Sequence, residues 1–178
     1  MTDHHEPRWL TPEQQRAWLA LTAVVTWLPA ALETQLQRDA GIAHVEYAVL
    51  SWLSMSPDRT ARMSEIAAAA NVSLSHLSRI ATRLEKRGWM RRQPDPQDGR
   101  VTLAILTDTG WDKVTTTAPG HANEVQRLVF DTLTPTQTRQ LHDISEKILH
   151  TIRPDHRLRL PPTPADDDPP PTSPSESH

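Results

Sequence analysis

Cysteine is absent from the 178 residues, which excludes disulfide scaffolds, thiolate metal sites and cysteine-based redox sensing. No run of 18 apolar residues occurs, so no membrane span is expected. The start, Met1-Thr2-Asp3-His4-His5-Glu6, lacks the apolar stretch of a secretory signal. A reducing cytoplasm is the expected setting. The five glycines form no phosphate-cradling loop, and neither a nucleophile elbow nor a paired His-Glu zinc motif is present. The chain is therefore not expected to be an enzyme, and no cofactor is expected.

Charge of one sign is lacking too. Lys and Arg number 19 against 22 Asp and Glu, a formal net charge of -3, so the chain is not coated in positive charge. Between Arg59 and Arg100, however, basic side chains outnumber acidic ones. A local basic stripe on an acidic chain fits a defined nucleic-acid face, although a solvated surface has the same composition. From about Arg153 onward the composition changes again. Half of the 16 prolines and the run Asp166-Asp167-Asp168 fall there. Such a segment cannot bury a core and reads as a disordered tail over 153–178.

What remains, about the first 152 residues, is rich in helix signals. Thr11-Pro12-Glu13-Gln14 is a capping start, and Trp18, Leu21, Val25, Leu28 and Leu32 follow at helical spacing. Pro29 is expected to kink this helix, which ends near Gly41. A second helix spans about His44 to Ser54, and Arg62-Met63 is a candidate short strand. Ser64 is expected to cap a short helix through Ala70. Asn71-Val72-Ser73 makes a tight turn, since Asn tolerates positive φ. The next helix, about Leu74 to Arg87, places Leu74, Leu77, Ile80, Ala81 and Leu84 on a buried stripe, and Gly88 stops it. Trp89–Gln93 and Arg100–Leu106 form a β-hairpin around the turn-rich Pro94-Asp95-Pro96-Gln97-Asp98-Gly99. Thr107 opens a helix expected to bend or break at Pro119-Gly120. Thr134-Pro135 opens a last one, with Leu141, Ile144, Ile148 and Ile152 on one face.

Two short helices joined by a tight turn and followed by a hairpin make a winged helix-turn-helix. Its second helix fits the major groove. Outside the leucine stripe the 74–87 helix carries Ser75, His76, Ser78, Arg79, Thr82 and Arg83. Ser73 joins Ser75 at its N-terminus, where free N–H groups favour a phosphate. These seven residues are the expected DNA contacts on the helix. Arg91, Arg92 and Arg100 are expected to reach phosphates or the minor groove from the wing. The expected partner is double-stranded DNA.

Residues 64–110 closely resemble the multiple antibiotic resistance regulator (MarR) family. The resemblance is carried by Ser64-Glu65-Ile66-Ala67, Val72 to Arg79, Arg83 to Trp89, Asp95 to Arg100 and Leu106 to Gly110. With the flanking helices it covers about residues 8–152. It implies a mainly α fold with a small β-hairpin wing, in which a winged helix-turn-helix is flanked by dimerisation helices. The division is then 1–40 for the N-terminal dimerisation helix, 41–110 for the DNA-binding region and 111–152 for the C-terminal dimerisation helices. It further implies a homodimer on a pseudo-palindromic operator, usually a repressor, released by a small, often aromatic, effector. The family wing often carries basic residues inside its acid-rich turn, where this chain has Gln97 and Gly99. Asp98 is read as pairing with Arg100 or another arginine to shape the wing.

Six tryptophans against one Phe and one Tyr raise a second site. Trp18, Trp27, His44, Tyr47 and Trp52 are candidate linings of an aromatic pocket; the other reading is core and dimer packing. Nine histidines raise metal sensing, but His121 with Glu124 and His44 with Glu46 are pairs, and zinc needs three or four convergent ligands. No metal site is expected. A metal-responsive regulator of the same fold and a winged-helix protein-interaction module are the alternatives.

Overall fold

In the computed structural model, which describes residues 7–154, the chain opens with α1, Pro12–Ala40. Thr11 caps it: its hydroxyl accepts the Gln14 N–H at 3.2 Å, and Gln14 Oε1 accepts the Thr11 N–H at 2.9 Å. The helix runs through Pro29 and ends at Gly41. After it come α2 (His44–Ser54), a 3-10 turn (Pro57–Arg59), β1 (Thr60–Arg62), α3 (Met63–Ala69) and α4 (Leu74–Lys86). Then follow β2 (Met90–Pro94), β3 (Thr102–Leu106), α5 (Asp108–Val125), a π-helical turn (Gln126–Phe130) and α6 (Pro135–Ile152). The tail read over 153–178 lies outside the described residues from 155 on, as do His4, His5 and His178.

The expected hairpin belongs to a three-stranded antiparallel sheet in the order β1-β3-β2. Thr60, Ala61 and Arg62 of β1 pair with Ile105, Ala104 and Leu103 of β3; Met90 through Pro94 pair with Leu106 through Thr102. Several boundaries differ from the sequence reading: the short strand is Thr60–Arg62 rather than Arg62-Met63, and Met63 opens α3. Arg62, not Ser64, precedes α3, and its N–H donates to Glu65 Oε2 at 3.3 Å. That contact satisfies a donor that the helix itself leaves open. The second strand of the wing starts at Thr102 rather than Arg100, because Asp95 to Val101 are taken up by the turn. No break occurs at Pro119-Gly120. Packing of α5 against α1 and α2 carries the helix through the proline.

One core unites the elements from α1 to α5. Leu36, Ile42, Leu50, Leu53, Ile66, Leu77, Ile80 and Leu84 are fully buried, with Met90, Ala104 and Leu106 closing it from the sheet. Each such Leu or Ile contributes roughly 1.5–3 kcal/mol by leaving water. Leu77, Ile80, Ala81 and Leu84 sit at i, i+3, i+4 and i+7, so a single face of α4 is buried. Leu74 was expected on that stripe but is 55% exposed. It opens the helix nearly one turn before the stripe meets the core at Leu77.

α6 forms a compact unit of its own, with Leu141, Ile144, Ile148 and Ile152 exposed along one face. α1 also leaves large apolar groups in solvent, among them Trp18, Leu19, Val24, Val25 and Trp27. By length and composition alone it is long and apolar enough to cross a membrane, although no unbroken run of 18 apolar residues exists. Thr22, Thr26 and Pro29 interrupt the apolar sequence.

Two glycines do specific work around α4 and α5. Gly88 has φ 72° and ends α4 in a Schellman arrangement: Trp89 N–H donates to Leu84 O at 3.0 Å and Gly88 N–H to Glu85 O at 2.9 Å. Gly110, in the first turn of α5, lies where an added Cβ would stand 1.9 Å from the Trp89 carbonyl oxygen. Gly110→Ala is therefore expected to destabilise the fold. The helix-propensity gain of about 1 kcal/mol is outweighed by a backbone clash costing at least ~1–3 kcal/mol. Urea unfolding of the variant should show a lower midpoint, and an unchanged or raised midpoint would contradict the close packing.

Candidate nucleic-acid interface

The turn between α3 and α4 is built from one strained residue and one cap. Asn71 takes φ 51°, and Val72 N–H returns to Ala67 O at 3.0 Å. Ser73 then caps α4 by accepting the His76 N–H at 3.2 Å, and its hydroxyl lies 3.2 Å from that of Ser75. With the apolar stripe in the core, Ser73, Ser75, His76, Arg79, Thr82 and Arg83 are all exposed, and Ser78 is half-buried. Arg79 points from the middle of this surface. No carboxylate lies on the exposed face between Ser73 and Arg83.

The candidate arginines divide into free and engaged groups. Arg92, from β2, reaches back over α4. Its Nε and Nη2 donate to Glu85 Oε2 at 3.0 and 2.5 Å, and its backbone N–H donates to Glu85 Oε1 at 2.8 Å. Its Nη1 and Nη2 also donate to the hydroxyls of Ser78 and Thr82, each at 3.1 Å. Arg92, Ser78 and Thr82 thus form one clamp between wing and helix. Arg83 donates through Nε to Glu46 Oε1 at 2.7 Å. Glu46 is a carboxylate on α2 with a side chain only 5% exposed; Arg87 approaches its other oxygen at 3.9 Å and donates to Gly41 O at 2.9 Å. Arg91 donates to Gln93 on the outer edge of β2, and Arg100 stands exposed on the turn.

The wing turn is held by its acids through backbone groups. Asp98 Oδ1 accepts the Arg100 backbone N–H at 3.1 Å, so the main chain and not the guanidinium is its partner there. Asp95 Oδ1 accepts Gln97 N–H at 2.9 Å, and its other oxygen lies 3.9 Å from Arg62. Between the wing and the start of α4 runs a groove of about 310 Å³ lined by Met63, Leu74, Ser78, Arg92, Arg100 and Val101, among others.

The aromatic candidates are only partly gathered. Tyr47 and His44 on α2 meet His121 of α5, with ring centroids 4.9 and 6.3 Å from it. His121 Nδ1 lies 3.3 Å from Oε1 of the buried Gln35. Burial, and then the nearby His44, hold the His121 imidazole below its ordinary value. Trp52 packs against the core. Trp18 and Trp27 are 57% and 73% exposed and do not join this group within one chain. Among the described residues no cluster of three or more His, Asp or Glu is placed to hold a metal ion; Glu124 is paired with Arg127 at 2.6 Å.

Comparison with known proteins adds the decisive observation. The MarR family sequence model matches residues 42–102. The fold superposes with a TM-score of 0.80 on Sco3205, a MarR family transcriptional regulator from Streptomyces coelicolor solved in complex with DNA. The two are 45% identical, over 85% of this chain and 94% of that one. The chain belongs to the MarR family. It is accordingly a DNA-binding transcription regulator and not an enzyme. A second MarR family regulator of Streptomyces coelicolor, AbsC, is 34% identical with a TM-score of 0.78, over 83% of this chain and 99% of that one. The transcriptional repressor MprA of Escherichia coli is 30% identical over 118 residues, which is 66% of each chain and so just under two thirds of the repressor's length.

Within this MarR family chain the sequence reading missed three residues of consequence. Glu46 and Glu85 hold arginines that were read only as outward-facing, and Leu74 stands in the groove beside the wing. Glu85 is seven residues from Arg92 and Glu46 is 37 from Arg83, spacings that no local periodicity reports. The Glu85 carboxylate is held below its ordinary value, first by the Arg92 side chain and then, against partial burial, by its N–H. A carboxylate with a lowered folded pKa contributes stability above its unfolded value and loses it as pH falls through the folded value. In pH-dependent urea unfolding, Glu85→Gln should lose stability near neutrality and show a smaller further loss than wild type as pH falls below the ordinary glutamate range. Parallel curves would exclude the clamp.

Proposed function

We propose that the chain acts as a homodimer that represses from a pseudo-palindromic operator and releases it when a small, aromatic-type effector is bound. Residues 41–110 form the DNA-binding region, flanked by dimerisation regions at 1–40 and 111–152, and the protein works in the cytoplasm. The observation that carries DNA reading is the exposed Ser-His-Arg face of α4, held rigidly from behind and free of carboxylates. In this reading Ser73, Ser75, His76 and Arg79 approach base edges or flanking phosphates. Arg91 and Arg100 meet the backbone from the wing. Arg83 and Arg92 are exposed enough to add a phosphate contact, but their first task is to fix the helix and the wing. Asp98 keeps the wing turn closed.

Support for a dimer comes from α1. It leaves Trp18, Leu19, Val24, Val25 and Trp27 exposed, the kind of apolar surface that marks an interaction face, and a twofold partner also supplies the second half-site reader. Support for an effector site comes from the Tyr47, His44 and His121 group, where aromatic rings and the buried Gln35 amide meet among α1, α2 and α5. Trp18 and Trp27 belong to such a site only if a second copy brings them to it.

The test is binding to DNA from upstream of the protein's own gene at two salt concentrations. Sequence-selective binding at two protomers per site, weakened by salt, is the expected outcome. Arg79→Ala should weaken operator binding by roughly 1–3 kcal/mol while leaving binding to random duplex much less affected. Equal loss on both DNAs would reassign Arg79 from bases to phosphates. Binding by the wild-type protein no better than to random DNA would remove this stretch as the operator.

A further inference from the structure

Among the groups exposed beside the wing, Leu74 does not fit a purely polar surface. It is the first residue of α4 and 55% exposed, flanked by the hydroxyls of Ser73 and Ser75. One helical turn later stands Ser78, which shares the same groove wall. Val101, Arg92, Arg100 and the buried Met63 line the same groove. More than half of this apolar side chain lies in water in the free protein, so it gains by covering an apolar group on the DNA. The N-terminal residues of a recognition helix are those that meet base edges. In the major groove the one apolar feature of the base edges is the C5-methyl group of thymine.

We infer that Leu74 is a specificity-determining residue that packs against a thymine methyl in each half-site, selecting T·A over C·G at that step. The inference rests on the DNA-reading assignment of α4 above and deepens it. The arginines lining the groove draw in the phosphates that bring the base edge to the leucine. The hydroxyls beside it are short enough to let the backbone approach. Covering one methyl group contributes about fourfold in affinity per half-site, or roughly fifteenfold on a symmetric operator.

Replacing each operator thymine in turn by deoxyuridine removes the methyl and leaves every hydrogen-bonding group in place. Fluorescence anisotropy with the wild-type protein should find one thymine per half-site whose replacement costs about fourfold. Leu74→Ala should bind the unmodified operator correspondingly more weakly and be indifferent to that same replacement. Leu74→Met, which keeps apolar bulk, should retain the sensitivity. Affinity for random duplex and the urea midpoint should be close to wild type in both variants, since Leu74 lies outside the core. No methyl-sensitive thymine in the wild type, or the same sensitivity in Leu74→Ala, overturns the assignment to Leu74 while leaving α4 as the reader. Wild-type binding to the operator no tighter than to random duplex overturns the leucine assignment and the reading beneath it together.

Discussion

Leu77, Ile80, Ala81 and Leu84 fasten one face of α4 to the core, and the presentation of every outward residue depends on that attachment. A 13-residue helix is marginal in water on its own. Four buried side chains at i, i+3, i+4 and i+7 supply several kcal/mol and also fix the helix's rotation about its axis. Rotation matters more than position here. A turn of one residue, about 100° on a 3.6-residue helix, would carry Arg79 out of the exposed face and bring apolar groups to it. The Gly88 cap and the Ser73 cap then fix where the helix starts and stops, so axial position is set as well.

Charge supplies a second layer of constraint, and magnitudes separate its parts. Exposed pairs such as Arg38 with Asp39 are worth little. Glu46 differs because it is almost fully withdrawn from water. Leaving its charge without a partner would cost several kcal/mol, so Arg83 is drawn toward α2, while its half-exposed guanidinium remains open to solvent. The Arg92 clamp lies between these cases, since both partners are about a quarter to a third exposed. Its value is geometric: five hydrogen bonds from one residue join β2 to α4. The wing cannot move from the recognition helix without breaking them together.

Much of this was legible in the sequence, and the exceptions have a common physical origin. Thr11-Pro12 and Gly88 are local signals, and the caps they announce involve residues within a turn. Asn71 likewise declared its positive φ. The α4 stripe was legible because its period is 3.6. Leu74 was misplaced because periodicity says which face a residue shares, not how far the core extends along it. β1 has three residues, too few for an alternating pattern, and it exists through pairing with β3 some 40 residues later. The partners of Arg83 and Arg92 are likewise set by tertiary packing. Composition told that these arginines were outward and basic, but not that acids from α2 and from the end of α4 itself would claim them.

α1 shows the same limit at larger scale. Apolar residues at several angles around a helix ordinarily mean burial on more than one side. Within its own unit this helix is buried mainly at Leu32, Gln35 and Leu36, near its C-terminal end. The N-terminal two-thirds, with Trp18 and Trp27, leaves its large apolar side chains exposed. Length and composition alone would also admit a bilayer. The alignment with a DNA-bound relative over 85% of the chain weighs against that, because a helix inserted in lipid would tether the α4 face that has to reach DNA. The proposed second protomer would remove that apolar surface from water and double the reading face in the same step. On that proposal the apolar excess of α1 and the polar exposure of α4 are two halves of one arrangement: the first helix would join what the fourth needs in pairs.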